Sequence, residues 1–448
     1  MRVLYITPYV PSRIRVRPYN LIKKLARHHE VVLVPLVQTD HDRQALGEMC
    51  KVCCSVKPIR MSKTQSVASC GKKLFTRMPL QAAYTYQPML TRTVDELIAR
   101  QSFNIVHVEH IRGAHFAAHV GSLPKVYDSV DCITLLLRQF LKTKKNPVSW
   151  FLALEEWAKM RVYEAMISER FDKIVITSAH DQKALDGLLW DRIRKRVKLK
   201  EMPARPPETP EELEEWRVTR QLAELSQDSR LAALMPQGGR VSVVPNGVDH
   251  EYFSPMDIPE EPDSIVFSGK MSYYANEAAV LHFYENIFPI VKAHRPKVRF
   301  NIVGADPPPA IRKLADDPSV TVTGYVDDIR PYIAKAAVAV SPITVGVGIQ
   351  NKVLEAMSMG KSVVASARAC SAIAVENGRD VLVADEPVEF ADHVIKLLDS
   401  PGKRYEIGRN AANYVRRNHD WGEIAEKLAS IYQEAAEVFG AKKGRSSL

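Results

Sequence analysis

The feature that most constrains this chain is a rhythm. Short apolar runs alternate with segments of helical periodicity, and the alternation occurs in two series. "RVLYIT", from Arg2, and "EVVLVPLV", from Glu30, flank "RPYNLIKKLARHH", in which Tyr19, Leu21, Ile22 and Leu25 fall at helical spacing. Strand, helix and strand in so short a span make a βαβ unit, and its strands run parallel. The pattern continues through a helix near 89–100, "FNIVHVEH", a helix from Gly113, "KVYDSVD" and "FDKIVITSAHD". "WFLALEEWAKMRVYEAMISER", residues 150–170, reads as an amphipathic helix tracked by Trp150, Leu154, Trp157, Arg161 and Glu164, an aromatic stripe expected in the core.

The rhythm breaks after Leu188. "PARPPETPEELEEW" is rich in proline and charge, so residues 190–235 are expected to be an insertion of one or two exposed helices. "VSVVPNGVDHEYFSP" resumes the pattern, and the polar, proline-rich "HEYFSPMDIPEEPDS" is the natural linker. A second series follows: "SIVFSGKMS", "KVRFNIVGADPP", "VTVTGYVDD", "VAVSPIT", "KSVVAS" and "DVLVAD", with helices at Glu277–Phe288, Pro331–Ala336, Asn351–Met359 and Pro387–Asp399. The expected division is a first domain over 1–250, a second over 251–420 and a C-terminal helix over 421–448 packing back on the first. At 448 residues, 46% hydrophobic and 25% charged, the chain can build two ordinary globular cores. The fold class is α/β, with two doubly wound sheets. Such sheets bind ligands at the carboxyl ends of their strands.

The net charge is +10, and the cation excess lies in the first 130 residues. A basic half calls for an acidic partner, such as a phosphate-bearing substrate or an anionic membrane surface. A solvated basic face accounts for the charge equally well. No nucleic-acid signature accompanies it, so no nucleic-acid partner is expected. Of six cysteines, Cys50, Cys53, Cys54 and Cys70 cluster, but Cys-x-x-Cys-Cys without a following histidine pair is a weak metal pattern. No metal site is expected. The N-terminal run "MRVLYITPYVPSRIR" is too short and too soon interrupted by Pro and Arg for a secretory leader. No 18-residue apolar run is present. The expected location is cytoplasmic, with peripheral attachment to the inner membrane face as an option.

The densest motif is "VGVGIQNKVLEAMSMGKSVVAS", from Val345. It is neither a dinucleotide fingerprint, since Asn351 takes the third glycine's place, nor a P-loop, since Glu355 takes the place of the first glycine before "GKS". Read as the start of a helix, it aims free amides and a dipole at an anion. Gly346 and Gly348 allow close backbone approach. Lys352 on the first turn adds a full charge. Glu355, at i+3 from it, faces the same way and suits a vicinal diol such as a ribose. A surface Lys–Glu pair on an ordinary amphipathic helix would give the same spacing.

"GIQNKVLEAMSMGKSVVAS", "PNGVD", "FSGKMSYYANEAAV", "NIVGADPP" and "VTGYVDDIRPYIAKAAVAVSP" together resemble family 4 glycosyltransferases of the GT-B fold, and bacterial exopolysaccharide and PEP-CTERM-associated sugar transferases above all. The resemblance covers nearly the whole chain outside 190–235. It implies two Rossmann-like domains facing across a cleft. It also implies a retaining, metal-independent and cofactor-free transfer from a nucleotide-diphospho-sugar to a glycan or lipid-linked acceptor. Lys270 and Lys352 then hold the diphosphate, Glu355 the ribose, and the backbone of Val326 the base. The amides of Gly346, Gly348, Ile349, Gln350 and Asn351 are left for phosphate and sugar hydroxyls. Two positions depart from the family: Asn276 replaces a second lysine, and Val347 replaces a glutamate that contacts the donor sugar. Where a glycine pair follows the first strand in relatives, this chain has Arg13, Arg15 and Arg17; Arg15 and Arg17 are candidates for the acceptor or a phosphate. Asp128 occupies a strand end where relatives carry a histidine near the reacting carbon, and His107 and His110 are weaker candidates for proton transfer. Charge leaving with the nucleotide would be stabilised by Lys270, Lys352 and the helix amides. A non-catalytic nucleotide-sugar-binding protein and a nucleotide-sugar epimerase are the alternatives.

Overall fold

A computed structural model describes residues 1–73, 76–143, 146–197, 240–346 and 348–446. Most of the expected 190–235 insertion, and Val347, lie outside the described residues. The chain divides into two compact units, Met1–Val244 with Ala425–Leu448, and Pro245–Ile424.

The first unit is built on a parallel sheet. Its strands are β1 (Arg2–Thr7), β2 (Glu30–Val37), β3 (Ser55–Val56), β4 (Ile59–Arg60), β5 (Ile105–Glu109), β6 (Lys125–Val130), β7 (Lys173–Ile176) and β8 (Val241–Val243), in the order β3-β2-β1-β5-β6-β7-β8 with β4 also on β2. Val3 pairs with Val31 on one side and Ile105 on the other. Helices cover both faces of such a sheet, which is why Val3, Leu4, Tyr5 and Ile6 are all fully buried and the run shows no polar alternation. The longer runs in this unit each became a strand. The two-residue β3 and β4 are too short to carry a periodic signal, and only β2 holds them.

The aromatic stripe of the helix Pro147–Ser168 corrects the sequence reading. Tyr163 and Met160 are in the core, but Trp150 is 44% exposed, Phe151 64% and Leu152 58%. The first turns, up to Leu154, carry no charged residue, and they extend past the surface the later turns pack on. The C-terminal helix Trp421–Ser446 lies largely on the first unit. Tyr432 donates to or accepts from His107 Nδ1 at 2.9 Å, and Lys442 pairs with Asp172 at 2.8 Å.

The second unit has six parallel strands: β9 (Glu261–Ser268), β10 (Arg299–Val303), β11 (Val320–Val322), β12 (Ala336–Ser341), β13 (Val363–Ala365) and β14 (Leu382–Val383). All six were legible as apolar runs. Their order is β11-β10-β9-β12-β13-β14. Chain order therefore reverses between β9 and β12. The connection leaving β9 goes one way and the one leaving β12 the other, so a crevice opens at their carboxyl ends. Ser268-Gly269-Lys270 leaves β9 there, and the glycine-rich loop leaves β12.

Two glycines make the floor of that crevice. Gly269 has φ +147° and Gly304, at the end of β10, has φ +145°, a region that side chains other than glycine rarely adopt. A Cβ on Gly304 would sit 1.9 Å from the Gly269 carbonyl oxygen, a backbone atom that cannot move aside alone. Gly304→Ala should lower the stability of this unit by roughly 2 kcal/mol or more, from overpacking plus the strained φ. Urea unfolding followed by tryptophan fluorescence and circular dichroism measures it; an unchanged midpoint would mean that the two loops are not in contact.

Candidate functional site

The helix Asn351–Ser358 forms because Val353, Leu354, Ala356 and Met357 give it a buried stripe against the second sheet. Its end is a left-handed glycine cap. Gly360, at φ +71°, donates to Met357 O at 3.0 Å, and Lys361 donates to Ala356 O at 3.0 Å. That is the structural task of the "MGKS" glycine. At the other end the N-cap residue Gln350 makes no side-chain capping bond; its carbonyl accepts from Val353 N at 2.9 Å, and the helix opens without a side-chain cap. Gly346, at φ +135°, and Gly348, at φ +74°, shape the approach, and both are buried. Ile349 packs partly on the core, and Asn351 Oδ1 accepts from Asn246 Nδ2 of the "PNGVD" loop at 3.2 Å. The Arg368 guanidinium donates to the Gly346 carbonyl at 3.4 Å.

Lys352 lies at the centre. Its ammonium donates to Asn276 Oδ1 at 2.5 Å and stands 4.8 Å from the centroid of the Phe267 ring. Asn276 is buried and uses its other end to donate to the Lys270 carbonyl at 2.8 Å. One amide side chain thus ties the lysine of the helix to the backbone of the lysine after β9. A Cβ on Gly269 would come within 2.9 Å of Asn276 Nδ2 and 3.3 Å of Lys352 Cε, so glycine is needed for this close packing. Burial lowers the Lys352 pKa to about 8, with Glu355 opposing the shift. Burial raises Glu355 to about 7, with Lys352 opposing. Both groups are therefore desolvated, adjacent and poised near neutrality. Among the described residues, no carboxylate lies within ion-pairing distance of the Lys352 ammonium.

Lys270 is different. Its ammonium is 59% exposed and 3.3 Å from Asp306, which is itself exposed. Such a pair is worth at most about 1 kcal/mol, and an arriving anion displaces it at little cost. Val326 follows β11 on the same carboxyl edge of the sheet and is half-buried against the core, next to a Tyr325 that is 68% exposed. The structure thus brings Lys270, Lys352, Glu355 and the helix N-terminus to one edge of one sheet. Asn276 is the connecting residue that sequence reasoning missed: its position was visible, but not that its amide would reach both lysines.

The first unit holds a separate polar cluster at the carboxyl ends of β1, β5 and β6. Arg17 is buried, with Nε 2.8 Å from Asp128 Oδ2 and a second bond to Val244 O at 2.9 Å. Asp128 is fully buried and also accepts from Val130 N at 3.1 Å. His107 is fully buried, stacked on Tyr5 at 4.1 Å and bonded to Tyr432, and burial holds its pKa well below the usual value. His110 accepts from Arg112 N and caps its own short helix. Arg17, Asp128 and His107 are interior groups rather than presented to solvent, and His110 is partly buried. Arg15 is more open; it bonds Asp42 at 3.0 Å and lies over the Tyr9 ring at 4.6 Å. Glu109 was overlooked. It shares a strand face with His107, two residues before it, which is the signal that could have found it. Its carboxyl accepts from Tyr9 OH at 2.6 Å, and burial pushes its pKa up to about 8.

Residues 262–400 match the family model described as "Glycosyl transferases group 1". The second unit carries a glycosyl transferases group 1 domain. The matched residues include Lys270, Asn276, Val326, Lys352 and Glu355. The whole chain also shares the fold of Anabaena HepE in complex with UDP-glucose, with a TM-score of 0.61 at 14% identity over 97% of this chain and 100% of that one. The fold is GT-B, with two parallel-sheet α/β units. Among curated proteins, D-inositol 3-phosphate glycosyltransferase 2 of Catenulispora acidiphila is 26% identical over 230 residues, 46% of this chain and 53% of that protein. An uncharacterized 44.6 kDa protein in the cps region of Klebsiella pneumoniae is 21% identical over 179 residues, 38% of this chain and 45% of that protein. The matched stretches span between 22% and 53% of the curated relatives' lengths.

In the group 1 domain, removing the Asn276 amide would release Lys352 and leave the Lys270 carbonyl without its partner. Hydrogen bonds to charged groups contribute about 1.5–3 kcal/mol. Asn276→Ala should therefore weaken nucleoside-diphosphate binding by roughly 10- to 100-fold, measured by calorimetry with circular dichroism as the fold control. Unaltered affinity would remove Asn276 from the site.

Proposed function

We propose that this chain is a retaining, metal-independent glycosyltransferase. It moves a sugar from a nucleotide-diphospho-sugar to a hydroxyl of a glycan or lipid-linked acceptor, in envelope or exopolysaccharide biosynthesis. The observation that carries the reading is the Lys270 backbone–Asn276–Lys352 link beside Glu355 at the switch point of the second sheet. Lys352 and the first-turn amides receive the diphosphate, with Lys270 adding charge from the rim. Glu355 accepts the ribose hydroxyls, and the Val326 backbone meets the base. UDP and UDP-glucose complexes of HepE, a protein of the same fold, support a nucleotide sugar as donor.

The chemistry follows from charge. Breaking the bond between sugar and phosphate leaves negative charge on the departing diphosphate and positive charge on the sugar. A desolvated ammonium already fixed by Asn276 stabilises that leaving group without reorganising, and the loss of one such donor costs about 100- to 1000-fold in rate. The acceptor hydroxyl then attacks from the face the diphosphate leaves and gives its proton to the departing phosphate oxygen, which retains configuration. Arg15 takes a place on the acceptor side. Arg17, Asp128 and His107 act through the buried network, holding the carboxyl edge of the first sheet in shape.

These shifts give a pH dependence. Lys352, lowered to about 8, carries its charge below that pH and loses it above. Glu355, raised to about 7, is a full acceptor above that pH and becomes protonated below. Donor binding by the free protein should be bell-shaped, with limbs near 7 and 8, and the limbs belong to the coupled pair. Lys352→Gln should abolish the alkaline limb and lower turnover by about 100-fold or more. A nucleotide-sugar panel with mass-spectrometric detection tests the whole reading: nucleoside diphosphate should appear only when an acceptor is added. Tight binding with no turnover across the panel would favour a binding protein, and a changed sugar without acceptor would favour an epimerase.

A further inference from the structure

Two neighbouring loops on the carboxyl edge of the second sheet differ in charge. The loop leaving β12, from Pro342 to Gln350, has no charged residue, and the stretch leaving β13, from Ser366 to Val375, has Arg368 alone. The fold ties the two together. Ser341 and Ala365 are partners in the sheet, and beyond them Ser366 donates from its amide to Ser341 O at 3.1 Å and from its hydroxyl to Ile343 O at 2.7 Å. The same hydroxyl caps the short helix Ala367–Cys370 by accepting from Ala369 N at 3.1 Å. Asp385 accepts from Ala367 N at 2.9 Å. The turn that carries Arg368 is therefore fixed on both flanks, while the arginine itself is exposed.

Arg368 is the group that reaches back. Its guanidinium donates to Gly346 O at 3.4 Å. A Cβ on Gly346 would lie 3.7 Å from that of Ala275, the neighbour of Asn276. One glycine of the β12 loop thus has the Lys270–Asn276–Lys352 link on one flank and Arg368 on the other, as β9 and β13 flank β12 in the sheet. The carboxylates at the ends of β10 and β11 lie across β9 from this place and are engaged there: Asp306 stands 3.3 Å from Lys270, and Arg330 binds Asp328 at 2.7 Å.

We propose, on the basis of the transferase reading above, that the donated sugar is a hexuronic acid and that Arg368 receives its carboxylate. In that reading the diphosphate has Lys352, the amides that open its helix, and Lys270 from the β9 flank. Arg368 supplies a further cation from the β13 flank, beside the glycines whose amides are left for the sugar. A guanidinium presents a planar fork of donors that matches a carboxylate with two parallel bonds. A neutral hexose offers hydroxyls, and a carboxylate is the strong acceptor for those. The β12 loop has none to give. An uncharged loop with an arginine against its carbonyl is suited to a sugar that brings its own negative charge.

The test is calorimetry of the full chain with UDP, UDP-glucose and UDP-glucuronic acid, and with GDP, GDP-mannose and GDP-mannuronic acid. The wild type should bind the uronate at least about tenfold more tightly than the hexose on the same nucleotide, the size expected of a charge-assisted pair that is partly open to water. Arg368→Gln should cancel most of that ratio, and Arg368→Lys, which keeps the charge but not the fork, should restore part of it. Circular dichroism is the fold control. A wild type that binds hexose and uronate alike would overturn the proposal and leave the transferase reading standing. An equal loss for nucleoside diphosphate, hexose and uronate in Arg368→Gln would also overturn it, because Arg368 would then serve the phosphates or the shape of the Gly346 loop. Failure of the wild type to bind either nucleoside diphosphate would remove the transferase reading itself, and this inference with it.

Discussion

The site of the second unit depends on how a buried ammonium is kept charged. Lys352 is desolvated, and the group that touches it is the neutral oxygen of Asn276 at 2.5 Å. A carboxylate in that place would satisfy the cation and close the site to anions. A hydrocarbon would leave the amine neutral. A neutral amide does neither: it orients the ammonium, stabilises it modestly and leaves its attraction for a diphosphate unspent. Glu355 is near enough to act on Lys352 through space without neutralising it by contact.

The backbone makes this arrangement possible. Reversal of strand order between β9 and β12 opens the crevice, and Gly269 and Gly304 let its floor close tightly enough for Asn276 to span it. The glycine cap at Gly360 ends the lysine-bearing helix and returns the chain directly into β13. In the first unit the same kind of sheet is used differently. There the carboxyl ends of the strands carry interior pairs, Arg17 with Asp128 and His107 with Tyr432.

What could be read from the sequence divides along contact distance. The longer strands were legible because parallel strands buried on both faces are nearly continuous in apolar residues. Lys352 and Glu355 were legible because they are three residues apart on one helix, and Lys270 because it directly follows a strand. Asn276 was seen as a departure from a family pattern, but its bond to Lys352 crosses 76 residues. The pairing of Arg17 with Asp128 crosses 111 and that of His107 with Tyr432 crosses 325, and no local pattern encodes either. Trp150 was expected inside. Helical periodicity identifies a stripe, but not how far along the helix its packing partner extends.

The central claim is that Lys352, without an ion pair among the described residues and oriented by Asn276, is the anion-binding cation of the group 1 domain. The most direct test is a crystal structure of the protein with a nucleoside diphosphate. The account predicts diphosphate oxygens within hydrogen-bonding distance of the Lys352 ammonium and the amides that open its helix, with both ribose hydroxyls on Glu355. A nucleotide bound elsewhere, with Lys352 still held by Asn276 alone, would contradict it.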